Sequence, residues 1–159
     1  MKSAIWPAAA LALAAFGPAA CGDQQPAGPA GPQAPAGVTV SNGRLALPAV
    51  KGNPGAVYFD LANAGPKAVM VRNANVEGAQ SAMIHTMATW NGKPDMQELM
   101  QQSVKAGETL KFEPGKLHVM AMNLADTLKA GGTTNVTLHF ATGDAVTFPA
   151  KVMAAGDAR

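Results

Sequence analysis

Leu117-His118-Val119-Met120-Ala121-Met122-Asn123 alternates in character from one residue to the next. Successive side chains of an extended strand point to opposite faces, so Leu117, Val119 and Ala121 share one face and His118, Met120 and Met122 the other. The first face suits a core. The second presents nitrogen and sulfur donors, and residues two apart on a strand have Cα atoms about 6.5–7 Å apart. From there an imidazole and a thioether converge on one atom.

The same period of two recurs outward from this stretch, in residues 44–50, 56–62, 68–76, 135–141 and 145–152. Turn signals separate the segments: Asn53-Pro54-Gly55, Asn63-Ala64-Gly65-Pro66, Asn91-Gly92-Lys93-Pro94, Pro114-Gly115, Gly131-Gly132 and Thr142-Gly143-Asp144. No helical pattern of about ten residues or more interrupts them. Strands at this spacing predict an all-β fold, a sandwich or Greek-key barrel of about seven or eight strands. The domain is expected to run from 38 to 154, with a short C-terminal tail at 155–159.

Met83, His85 and Met87 repeat the donor alternation in a second strand. Met96 follows the Asn91 to Pro94 turn, so a hairpin or loop returns it towards His85. Taken singly, Met83, Met87, Met96, Met100, Met120 and Met122 read as packing, because methionine fills irregular gaps by shape alone. Clustering weighs against that: six of nine methionines and two of three histidines fall between Met83 and Met122. Thioether sulfur suits Cu(I) and imidazole accepts copper, so two of each would select the reduced ion. His139 reads as an ordinary strand residue, and Trp90 as a packing anchor for the hairpin or a shield for a metal.

Composition bounds the alternatives. With 159 residues, 48% of them apolar and 14% charged, the chain has material for one core. A net charge of +2 from scattered Lys and Arg does not make the basic stripe that a phosphate backbone requires, so no nucleic acid partner is expected. No nucleophile turn, paired-carboxylate motif or Gly-rich phosphate loop is recognisable, which argues against an enzyme. A blue-copper electron carrier needs a thiolate beside two histidines, and the lone Cys21 lies outside the predicted domain.

The N-terminus reads as an export signal over residues 1–20: Lys2 supplies the positive start, 5–16 an apolar run, and Ala19-Ala20 the small residues. With Cys21 these resemble a bacterial lipobox, in which Cys21 carries lipid, although Pro18 stands where that motif usually has Leu. The alternative is plain cleavage after Ala20, leaving a free thiol. Residues 21–37, rich in Pro, Gly and Ala, then form a tether. At ~3.1 Å per residue it reaches up to ~50 Å from a membrane anchor.

The donors stand in one interval pattern: His85, ten residues, Met96, twenty-one residues, His118, one residue, Met120. This resembles, without a gap, the motif of the PCu(A)C family of periplasmic copper chaperones. Phe112-Glu113-Pro114-Gly115-Lys116-Leu117-His118-Val119-Met120-Ala121-Met122-Asn123-Leu124 is similar to that family's stretch around its His-x-Met. Leu128-Lys129-Ala130-Gly131 and Thr137-Leu138-His139-Phe140 resemble its next turn and strand. The likeness covers about residues 55–152.

The resemblance implies a cupredoxin-like β-barrel or sandwich with Cu(I) held by His85, Met96, His118 and Met120. It also implies a periplasmic metallochaperone that supplies copper for assembly of cytochrome c oxidase, at the copper centre of subunit II, often beside a Sco-type thiol protein. Some relatives carry a His- and Met-rich C-terminal tail that binds further copper; residues 153–159 do not resemble it, so the resemblance does not carry a second, Cu(II) site over to this sequence. We expect a periplasmic monomer anchored to the membrane as a lipoprotein, delivering the ion by ligand exchange with Met96 on the mobile side. The competing reading is a lipid-anchored β-sandwich for adhesion or assembly, its methionines forming a soft contact surface without metal.

Overall fold

Alternation along the chain becomes ten strands among residues 33–157, which a computed structural model of the protein describes. They are β1 (Val38–Ala46), β2 (Gly55–Asn63), β3 (Val69–Val76), β4 (Ala79–Trp90), β5 (Lys93–Leu99), β6 (Gln102–Val104), β7 (Thr109–Phe112), β8 (His118–Leu124), β9 (Thr133–Phe140) and β10 (Ala145–Met153). No helix occurs among the described residues. The expected export signal, Cys21 and most of the predicted tether lie outside them.

The strands hydrogen-bond in the order β5-β4-β8-β2-β1-β10-β9-β3-β6, with β7 added to β2. Every pairing is antiparallel except β1 with β10. The path does not close, so of the two predicted architectures the sandwich is the one formed. Inward side chains make one core in which Phe59 stacks on Phe112 at 4.1 Å between ring centroids and meets Phe148 at 5.0 Å. Leu45, Val57, Ile84, Val119, Leu138 and Val152 complete its centre.

Two short strands exceed the expected number. β6 has three residues and β7 four, too few for a period of two to stand out from chance. The first strand also lies earlier than the expected 44–50. Asn42 sits at φ 57° and the β1–β2 register shifts between Ser41 and Arg44, a bulge that lets one strand serve two neighbours. Gly43 is needed there, since a Cβ would stand 2.5 Å from the Pro149 carbonyl oxygen of β10. Val50, beyond Pro48, is left exposed.

The last residues of the predicted tether lie against the domain. The Gln33 carbonyl accepts from the Ala145 N–H at 3.1 Å, and the Gly37 carbonyl from the Ala64 N–H at 2.8 Å. A buried amide braces the same end: Asn63 Nδ2 donates to the carbonyls of Lys67, Val104 and Lys105, and its Oδ1 accepts from the Gly65 N–H. Such a buried polar group is tolerated because its hydrogen bonds are satisfied.

Candidate metal centre on the outer sheet face

β4 and β5 are joined by a two-residue turn in which Asn91 and Gly92 both have positive φ, 49° and 74°. That geometry matches the twist of the flanking strands and fixes their register. Met87 therefore stands opposite Met96, and His85 opposite Glu98. On its other side β4 pairs with β8, which sets His85 opposite His118 and Met83 opposite Met120.

Opposed residues share a face, and here it is the outer one, because Ile84, Val119 and Leu99 between them face the core. Three rungs result: Met83 with Met120, then His85 with His118, then Met87 with Met96. His85, His118 and Met120 are thus immediate neighbours. Met96 lies at the corner across His85 from Met120, two strand spacings, about 10 Å, and four residues, about 13 Å, away along the backbone.

Although alternation turns His118 away from the core, it is only 7% exposed. His85 flanks it with ring centroids 6.1 Å apart, and Tyr58 of β2 lies on the other side at 6.4 Å, itself under the Arg44 guanidinium at 5.2 Å. His118 Nδ1 lies 2.9 Å from the Lys116 carbonyl oxygen. A carbonyl only accepts, so Nδ1 carries the hydrogen and Nε2 keeps a free lone pair. The Lys116 carbonyl is held by its own loop: the Glu113 N–H donates to Leu117, the Lys116 N–H to Glu113, and the Met87 N–H to Lys116 itself. An exposed Lys116–Glu113 ion pair at 2.7 Å spans the same turn.

His85 differs. Both ring nitrogens are buried and have no hydrogen-bond partner. An unsatisfied buried group of this kind costs about 1–3 kcal/mol, and a metal ion is a partner that would relieve it. Among the described residues no three His, Cys, Asp or Glu side chains cluster to hold a metal. The thioethers of Met83, Met87 and Met120 neighbour the two imidazoles on the same face, and a set of imidazole and thioether donors fits a soft monovalent ion better than hard divalent ones.

Burial holds the His85 imidazole below its ordinary pKa of 6.5; the facing His118 adds to this and Glu98 opposes it. As pH falls, the unfolded chain therefore takes up a proton at this residue before the folded chain does. Stability of the metal-free protein should decline from about pH 6.5 downwards and level off below the lowered folded pKa. Denaturant unfolding across that range, with His85→Asn in parallel, isolates the contribution; equal pH slopes in the two proteins would remove it from His85.

Glu98 and Tyr58 escaped the sequence reading as neighbours of the donors. Counting back from the Asn91-Gly92 turn places Glu98, but no local signal brings β2 beside β8. Trp90 corrects an expectation, for it is 69% exposed and anchors no packing, since the tip of the β4–β5 hairpin extends past the end of β8. His139 is an ordinary strand residue that shares a hydrogen bond with Asn75.

Residues 38–152 match the family model described as putative lipoprotein LpqE-like. A curated relative, the putative lipoprotein Lxx21020 of Leifsonia xyli subsp. xyli (strain CTCB07), is 37% identical over 89 residues, 55% of this chain and 54% of that protein. The chain thus spans about half the length of that relative. The structure is similar to the copper-bound PCuAC domain from PmoF2, with a TM-score of 0.63 over 77% of this chain and 97% of that one; at 16% identity this shows the shared cupredoxin-like sandwich fold. Apo-DR1885 from Deinococcus radiodurans matches at 26% identity and TM-score 0.52, covering 100% of both chains. Its CuI form matches at 26% and 0.53, over 74% of this chain and 75% of that one.

Proposed function

We propose that this chain, which belongs to the LpqE-like family of putative lipoproteins, is a copper chaperone that carries Cu(I) on the outer face of β4, β5 and β8. One observation carries the reading: a half-buried His85, both of whose ring nitrogens are buried and unpartnered, faces a His118 whose tautomer leaves Nε2 free, and the thioethers of Met83, Met87 and Met120 flank the pair on the same face. The likeness to CuI-DR1885 supports it. His85, His118 and Met120 bind the ion, and Met96, 45% exposed on the edge strand, closes over it or yields to an incoming ligand.

Neutral imidazole and thioether bring no charge to the complex, and methionine does not compete for protons, so cargo is retained wherever the histidines are neutral. Ligand exchange at the exposed side then passes the ion on. The finer reading is delivery in the periplasm to subunit II of cytochrome c oxidase, with a Sco-type thiol protein beside it, from a chain anchored through lipid on Cys21. The lipoprotein descriptions of the family and of the curated relative support that anchoring.

Anaerobic titration of Cu(I) against a strong chelator should give one ion per chain. The loaded protein mixed with the copper-free soluble domain of subunit II should lose its ion to that domain. A chain that never competes with the chelator sinks the copper reading in favour of a metal-free interaction module, whereas copper retained on the chain sinks only the delivery step.

A further inference from the structure

We infer that Met83, which stands outside the His-x10-Met-x21-His-x-Met spacing, is itself a Cu(I) donor, and that Met87 with Met96 forms a separate outer sulfur pair through which the ion enters and leaves. The inference rests on the copper reading above and concerns which sulfurs serve it. Register is the first ground. Met83 is directly opposed to Met120 as His85 is to His118, so the four make a square of adjacent residues on one face. Directly opposed Cβ atoms lie about 4.5–5.5 Å apart and diagonal ones about 7–8 Å. Two imidazoles and two flexible thioethers converge over such a square, whereas Met96 is two strands removed from His118 and Met120.

The second ground is what these methionines do not do. Among the described residues, no methionine belongs to the hydrophobic core or packs against it. Ala82 and Ile84, on either side of Met83, carry the core contacts of that strand, so Met83 is free of the gap-filling role that usually explains the residue. Exposure then sets one sulfur apart. Met83, Met87 and Met120 are half-buried, while Met96, opposite Met87 on the edge strand, is 45% exposed. A holding square with a second sulfur pair on its far side, Met96 of that pair exposed, lets the ion move by exchanging one thioether at a time, with His85 of the central strand next to both positions.

Met→Leu substitution conserves volume and removes the donor, and on this outer face it should leave thermal unfolding of the metal-free chain nearly unchanged. The full-length protein, carrying 13C-methyl methionine, is titrated anaerobically with one equivalent of Cu(I), its methyl signals assigned through single Leu variants. The Met83 and Met120 methyl signals should shift, and Met83→Leu should weaken Cu(I) at least about tenfold. Met96→Leu should instead slow transfer to a chelator more than it lowers affinity. A Met83 methyl signal that stays in place, with Met83→Leu binding as the parent does, overturns the inference and leaves the copper reading standing on the spaced quartet. A parent protein that takes up no Cu(I) overturns both.

Discussion

Replacing His118 with alanine is expected to reduce Cu(I) affinity by more than about 100-fold, beyond the 10–100-fold usual for residues that only support a metal ligand. The ring is prepared for its task before any ion arrives. Its Nδ1 hydrogen is committed to the Lys116 carbonyl, Tyr58 and His85 limit its rotation, and the chain leaves Nε2 unused. Little ordering remains to be done on binding. Removal of His118 also leaves His85, already without partners, as the only imidazole on this face. His85→Ala should show a loss of similar size, and the double variant little more than either alone, because the two act on one ion. Chelator competition reads all three, with circular dichroism confirming that each variant folds. Independent, additive losses would show that the histidines do not share a metal.

Phe59→Ala should cost about 3–5 kcal/mol of folding stability, the range for deleting a fully buried aromatic ring. Phe59 has no exposed surface and contacts both Phe112 and Phe148, so its removal opens a space that three strands border at once. Its place in the sheet extends the effect. Phe59 lies between Tyr58 and Asp60 on β2, and the same strand pairs Val57 with Val119 of β8, directly beside His118. Urea unfolding of the metal-free chain measures the loss, and saturating Cu(I) should recover part of it, since an ion bound only to the folded state stabilises that state. A cost under about 1.5 kcal/mol would mean that the core relaxes around the missing ring.

The donor strands were legible because each carries a strong alternation. In 117–123 the apolar residues fall on odd numbers and the donors on even ones, and the folded chain keeps that division, with Val119 buried and Met120 half-buried. The β4–β5 pairing was equally accessible, since a two-residue Asn-Gly turn leaves one register. β7 was not, for Thr109-Leu110-Lys111-Phe112 is too short to declare a period and forms by pairing with β2. Trp90 misled for a related reason. A large aromatic beside a turn suggests an anchor, but nothing local reveals that β8 ends before it can cover that ring.

Local order alone determined the all-β class, the strand faces and which histidines and methionines are candidate donors, because side-chain alternation and turn chemistry act over a few residues. Only the tertiary structure decided that β8 lies between β4 and β2, placing His118 against His85 and Tyr58 and setting Met83, rather than Met96, across from Met120. The physical reason is the range of the interactions. A strand's choice of neighbour depends on burying its inner face with residues distant in the chain, and the site inherits its geometry from that choice on the opposite side of the sheet.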